Sequence, residues 1–251
     1  MSSVEYKKKG KIAYITINSP ETMNALGAEV RDGLGKSFIK VEEDNDVWVA
    51  VITGAGEKAF SAGANIKEFQ SPSSIGAYQE WLRPDKIWKP FIAAIHGYCL
   101  GGGLELALTC DIRIASEDAI FSLPEVNIGT MVGFGGAIRL PQLIPAAIAS
   151  EILLTGNRID AAEAYRIGLV SRVIPNTKLM SSAREIAETI IRRGPLAVRA
   201  TKELMVTAKN MSFEAALNRN RELITYLATT EDYSEGVQAF LQKRTPHFKA
   251  Q

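Results

Sequence analysis

Phe91-Ile92-Ala93-Ala94-Ile95-His96-Gly97-Tyr98-Cys99-Leu100-Gly101-Gly102-Gly103-Leu104-Glu105-Leu106-Ala107-Leu108 is the stretch whose reading decides the fold. Its first five residues form a short apolar run suited to a buried strand. Leu104, Leu106, Ala107 and Leu108 make a short helix that stops near Asp111. Three consecutive glycines stand between, and as mere filler in helix or strand each would cost roughly 0.5–1 kcal/mol of backbone entropy. They answer a geometric need, and two fit. One is close packing of helix on strand; the other is approach of a ligand to exposed N–H groups at a helix start, where the macrodipole favours negative charge.

Outward from this stretch the chain alternates. Lys11 to Asn18 is rich in β-branched and aromatic residues and ends at Ser19-Pro20, which predicts a strand closed by a turn. Val30, Leu34, Phe38 and Val41 recur at three to four and predict an amphipathic helix from about Gly27, and Trp48 to Thr53 then reads as a buried strand. Ile112 to Ala115 and Ala119 to Phe121 predict two more short strands. Such alternation points to an α/β fold with a largely parallel sheet. Asp160-Ala161-Ala162-Glu163 has capping-box spacing, Gly168 is placed to stop that helix, and Leu169 to Ile174 is a last strand-like piece. Gly194-Pro195 breaks the chain before helical patterns from Leu196, Phe213 and Tyr233. The expected organisation is a core over residues 1–192 and a helical region over 193–251.

At 251 residues and 46% hydrophobic, the chain can bury one large core. Lys+Arg 29 against Asp+Glu 28 gives a formal charge of +1, and the only basic block is Lys7-Lys8-Lys9, so nucleic acid is not an expected partner. Cys99 and Cys110 sit in apolar stretches and read as small buried hydrophobes, which suits a reducing compartment. Met1 to Tyr6 lacks the apolar core of a signal peptide, and no stretch approaches a spanning helix, so no membrane is expected and the location is read as cytoplasmic.

A second glycine-bearing turn, Phe60-Ser61-Ala62-Gly63-Ala64-Asn65-Ile66-Lys67, also follows a β-like run. Together the two turns can supply two backbone donors to one oxygen, as an enolate-like thioester requires; losing one such donor typically costs about 2.7–4 kcal/mol of transition-state stabilisation. A dinucleotide site at Gly54-Ala55-Gly56 fails on context, because the third glycine of the fingerprint is missing, and Gly133-Phe134-Gly135-Gly136 does not fit the spacing either. Glu105, in the first turn of an apolar helix, is either a surface acid compensating the dipole or a carboxylate held in a pocket. Glu125, directly after Pro124, is either a plain helix-start acid or a catalytic one. Two carboxyls on one water would suit its addition across a double bond, one drawing a proton from water and the other giving one to carbon. His96 reads as an interior residue and His247 as a tail residue; neither accompanies a Gly-x-Ser-x-Gly turn, and no cluster has metal-ligand spacing.

Met23-Asn24-Ala25-Leu26, Ala59 to Ile66, His96 to Ala107 and Phe121 to Gly129 occur in one order and spacing, and through them the chain resembles the enoyl-CoA hydratase/isomerase, or crotonase, superfamily over essentially its full length. The resemblance implies an α/β spiral of ββα units, a C-terminal helical region used in trimer formation, and a homotrimer or a homohexamer built as a dimer of trimers. It implies an acyl-CoA substrate, coenzyme A being part of that substrate, and no separate cofactor or metal. Carried over by motif, the N–H groups of Ala62 and Gly102 form the oxyanion hole. Ala62, Gly63, Ala64, Asn65 and Ile66 run along coenzyme A, Glu105 activates water, and Glu125 protonates the α-carbon. Phe240 and Lys243 match residues that approach coenzyme A from a neighbouring subunit.

Retention of both glutamates resembles the hydratases, with a double-bond isomerase, a specialised acyl-CoA dehydratase or a non-catalytic acyl-CoA- or RNA-binding relative as alternatives. Asn65 stands where many members have aspartate, and Met131-Val132 and Ala137-Ile138 also depart from the family pattern. Trp81, Leu82, Trp88, Met131 and Phe134 have two readings, shaping the acyl pocket or packing the core.

Overall fold

The computed structural model describes residues 2–68 and 84–251; Trp81 and Leu82 lie outside the described residues. The chain opens with an antiparallel pair, β1 (Val4–Lys9) and β2 (Ile12–Ile17), and α1 (Ala28–Glu43) then leads to β3 (Val49–Gly54) and β4 (Ala59–Ser61). β5 (Phe91–Ile95) and β6 (Tyr98–Leu100) run into α2 (Gly102–Thr109), followed by β7 (Ile112–Ser116) and β8 (Ile120–Ser122). A 3-10 turn at Pro124–Ile128 precedes α3 (Gly136–Leu143), α4 (Ala146–Thr155), β9 (Ile159–Asp160), α5 (Ala161–Arg166) and β10 (Arg172–Ile174). The remaining helices are α6 (Leu179–Ile191), α7 (Pro195–Thr207), α8 (Phe213–Ala228) and α9 (Glu231–Leu241).

Among the described residues two sheets result, a six-stranded one in the order β1-β2-β3-β5-β7-β10 and a four-stranded one in the order β4-β6-β8-β9. β2, β3, β5, β7 and β10 are parallel, as are β4, β6 and β8. Each successive pair, β3 with β4, β5 with β6 and β7 with β8, gives one strand to each sheet, so the chain winds as a spiral. The central strands β3 and β5 of the large sheet are buried on both faces, as parallel strands are. Ala50, Ile52, Ala93 and Ile95 face the main core with Leu34, Phe38 and Leu104, whereas Val49, Val51, Ile92 and Ala94 pack under Leu179, Ala183 and Ala187 of α6.

Several boundaries moved from expectation for identifiable reasons. β1 contains the Lys7-Lys8-Lys9 run: it is an edge strand, where exposed lysines are normal. Only Arg172–Ile174 of the expected Leu169–Ile174 strand is in the sheet, because Leu169 N and Val170 N close the end of α5 by donating to Ala164 O at 2.8 and 3.2 Å. The Asp160 cap formed as read, its side chain accepting from Glu163 N at 2.8 Å. Cys99 and Cys110 are both buried free thiols. Lys202 of α7 is 5% exposed and pairs with Asp111 at 2.7 Å, which ties the C-terminal helices to the end of α2.

Candidate active site

α2 is buried at every one of its positions, Gly102 to Thr109. A helix apolar on all sides belongs in a core, and it carries Glu105 there, 1% exposed. A buried charge needs compensation. Here two amides supply it, since Phe134 N and Gly136 N donate to Glu105 Oε1 at 2.7 and 2.8 Å. Burial pushes the Glu105 carboxyl above the usual range, while those amides and the Arg139 guanidinium hold it down. Glu105 is thus the pocket acid of the two readings.

The three glycines do not all answer one need. Gly103 is there for packing: a Cβ on it would lie 2.5 Å from Ser61 O of β4. Gly101 is there for the site. It has φ 50 and ψ −126, a conformation open essentially to glycine, and a Cβ would lie 2.7 Å from Glu125 Oε1. Glu125, in the first turn of the Pro124–Ile128 segment, therefore rests directly on the backbone that starts α2. Its Oε2 is buried and has no hydrogen-bond partner among the described residues. Burial is the largest cause that raises its carboxyl to about 7; its own backbone N–H opposes the shift, and the charge of Glu105 adds to it.

The second turn abuts the first. Gly63, at φ 89, could not carry a side chain, because a Cβ would lie 2.7 Å from Leu100 O and 3.2 Å from Gly102 N. Ser61 Oγ donates to Asn24 O at 2.8 Å and accepts from Gly63 N at 3.2 Å. Asn24 is fully buried; its amide donates to Ala55 O and Ala59 O at 2.9 and 2.7 Å, so the Met23 to Leu26 segment is a scaffold for this turn. That scaffold corrects one expectation. The N–H of Ala62 is not a donor to substrate, because it already donates to Met23 O at 2.9 Å. Leu26 N donates to Gly63 O at 2.7 Å in a parallel bridge between Leu26 and Ala64, and no acceptor among the described residues faces the N–H of Ala64 or of Gly102. Ala64, one residue pair further along the same turn, is the available amide.

Asn65 donates to Glu68 Oε1 at 3.2 Å, and Glu68 also accepts from Ala28 N at the start of α1 at 3.0 Å. An aspartate at 65 would set a second carboxylate against Glu68, which gives the asparagine a local reason. Ile66 is 64% exposed at the end of the turn. Phe134 packs its ring over Gly102, where a Cβ would meet it at 3.3 Å, so it walls the site. Met131 and Ile138 are exposed beside that segment, and Val132 is buried in the core. Phe240 and Lys243 are not brought here within one chain: α9 packs on α8, and Phe240 is 84% exposed.

The residues that sequence reading missed are the donors to Glu105, Phe134 N and Gly136 N, and the side chain of Arg139. The available signal was the glycine cluster at 133–136, weighed only as a nucleotide loop. Among the described residues no group of three or more His, Cys, Asp or Glu side chains is arranged to hold a metal ion, and no helix is long and apolar enough to cross a membrane.

A family model described as enoyl-CoA hydratase/isomerase matches residues 7–251. The chain is 44% identical over 244 residues to (E)-benzylidenesuccinyl-CoA hydratase of Thauera aromatica, with 95% of each chain covered. It is 38% identical over 251 residues to short-chain-enoyl-CoA hydratase of Clostridium acetobutylicum, covering 97% of this chain and 96% of the relative. The crystal structure of enoyl-CoA hydratase from Bacillus anthracis superposes with a TM-score of 0.94 at 36% identity, over 99% of this chain and 100% of that one. With the spiral, the paired turns and both glutamates in place, the chain belongs to the enoyl-CoA hydratase/isomerase family.

Proposed function

We propose that this protein adds water reversibly, in the syn sense, to a 2-enoyl-CoA and gives a 3-hydroxyacyl-CoA. The observation that carries the reading is the placement of Glu125 against Gly101, at the start of the helix that carries Glu105 and near enough to feel its charge, one carboxyl held by two amides and the other raised to about 7. The thioester oxygen takes the N–H groups of Ala64 and Gly102, which stabilise the charge that builds on it as the double bond is attacked. Glu105, ionised, accepts a proton from the attacking water, and Glu125, protonated, delivers one to the α-carbon. After one turnover the two have exchanged protonation states, and the reverse reaction, or proton exchange with water, resets them. The Ala62 to Ile66 turn holds the coenzyme A portion of the substrate.

The same reading includes a trimer or hexamer in which Phe240 and Lys243 reach a neighbour's coenzyme A, a cytoplasmic location and a place in fatty-acid β-oxidation. The exposed Phe213, Phe240 and Leu241 of α8 and α9 support association, since such apolar surface is seldom left to water. The test is direct: purified protein is mixed with a panel of short to long 2-enoyl-CoAs and loss of the conjugated-thioester absorbance is followed, with mass spectrometry to find the added water. Turnover with addition of water supports hydration. Turnover without it would reassign the site to isomerisation, and no turnover at any length despite coenzyme A binding would reject the reading.

A further inference from the structure

The amides that hold Glu105 sit in a glycine-rich segment. Gly133, Gly135 and Gly136 give the backbone around Phe134 wide freedom, and Gly135 takes φ 89. One guanidinium adds to the packing of the Phe134 ring in holding it. Arg139 Nη1 donates to Phe134 O at 2.6 Å, while its Nη2 and Nε donate to Asp85 Oδ2 at 2.6 and 3.2 Å. A Cβ on Gly135 would lie 2.5 Å from Arg139 Nη1, so the guanidinium lies directly on the turn. Both side chains of the Arg139–Asp85 pair are only about one-quarter exposed, at 26% and 25%, which spares the pair much of the screening that weakens surface pairs. Arg139 also starts from the same helix, α3, whose first residue, Gly136, provides one of the two amides.

We propose that Arg139, braced by Asp85, is a positioning residue for Glu105: it clamps the Phe134 to Gly136 turn so that both amides aim at one carboxylate oxygen and keep that carboxylate where it can accept a proton. A forked guanidinium suits the task because it bonds a carbonyl and a carboxylate at once in fixed geometry, which a lysine cannot do. Among the described residues the charged groups that bear on Glu105 are Arg139, which favours its ionised form, and Glu125. Removing Arg139 therefore loosens the amides and withdraws the favourable charge together. The effect falls on the chemical step, since Arg139 does not belong to the turn that holds coenzyme A.

The kinetic part of the test rests on the hydratase reading; a second part does not. With a short 2-enoyl-CoA, Arg139→Ala is expected to lower kcat by about 100-fold, the loss typical of a catalytic group displaced by an ångström, with KM little changed. The limb of the pH profile that needs Glu105 ionised moves to higher pH, and added guanidinium ion restores part of kcat. Asp85→Asn, which leaves the bond to Phe134 O possible, gives a smaller loss. Arg139→Lys keeps a cation for folding but loses the fork, and falls between wild type and Arg139→Ala. Independently of turnover, a carbon-13 titration of the glutamate carboxyls, assigned with Glu105→Gln, is expected to show the Glu105 midpoint raised in Arg139→Ala or Arg139→Lys. Wild-type kcat and pH profile in these variants, a KM effect alone, or an unmoved Glu105 midpoint would overturn the proposal. If the wild type fails to hydrate any enoyl-CoA, the functional reading falls and the midpoint still decides the clamp.

Discussion

Glu105, in the first turn of α2, and Glu125, which rests on Gly101 from the Pro124–Ile128 segment, are the same residue type, and their surroundings differ in kind. Glu105 is inside the core, on a helix with no polar side, where burial raises its carboxyl and two amides and a nearby guanidinium oppose that rise in favour of the ionised form. Glu125 is on the rim, half-buried on the Gly101 backbone, with one oxygen that nothing among the described residues bonds and a carboxyl raised to about 7. The first environment favours a base and the second an acid. Separating two identical carboxyls by environment is how one site runs both proton transfers near neutrality.

The largest effects are expected from removing either role. Glu125→Gln and Glu105→Gln should each lower kcat for hydration by about 10²–10⁴-fold, the usual weight of a positioned acid or base. The variants separate in a second assay, exchange of the α-hydrogens of a saturated acyl-CoA with deuterated water. Glu105→Gln should retain it and Glu125→Gln should lose it; equal loss in both would erase the assigned difference.

Next in size are the glycines that hold the two environments together. Gly103→Ala forces a methyl against Ser61 O and should destabilise the fold by about 1–3 kcal/mol, read from denaturant unfolding. Gly101→Ala combines a positive φ with displacement of Glu125. It should cost stability of the same order, about 1–3 kcal/mol, and also lower kcat more than Gly103→Ala does. Similar kcat in the two variants would show that Gly101 is there for packing only.

The pH dependence follows in order. Hydration needs Glu105 ionised and Glu125 protonated, so kcat/KM should fall as pH rises through about 7 on the Glu125 side and fall again as pH drops below the Glu105 value. The smallest effect is on stability. Glu125 is raised when folded, so the folded state binds the extra proton between the ordinary carboxyl range and about 7, and stability declines as pH climbs through that window. Glu125→Gln removes this cost: its melting temperature should exceed that of wild type at pH 8 and approach it at pH 5. A constant difference at both pH values would deny the shift.

Much of this was legible in the residues. The apolar run Phe91 to Ile95, the Val30-Leu34-Phe38-Val41 stripe and the Asp160 cap each became the element their spacing predicts. The short strands β4, β6 and β9 did not announce themselves, because two or three residues carry no period and their pairing is decided by partners far along the chain. Glu105 and Glu125 were legible as candidates, but their burial was not, since it depends on α3 and on the Pro124–Ile128 turn closing over α2. Ala62 was misread for a related reason. Sequence shows that a turn offers amides, and only the fold shows that Met23 O has already taken one of them.

The central claim is that near neutral pH the pair holds one proton and holds it on Glu125. A carbon-13 titration of the glutamate carboxyls in wild type, with Glu125→Gln and Glu105→Gln for assignment, measures this most directly, with the midpoints treated as those of a coupled pair. One midpoint near 7 is expected, which disappears in Glu125→Gln and moves down in Glu105→Gln, where the neighbouring charge is gone. A wild-type titration in which every glutamate changes in the ordinary carboxyl range, or in which the high midpoint vanishes with Glu105→Gln instead, would contradict it.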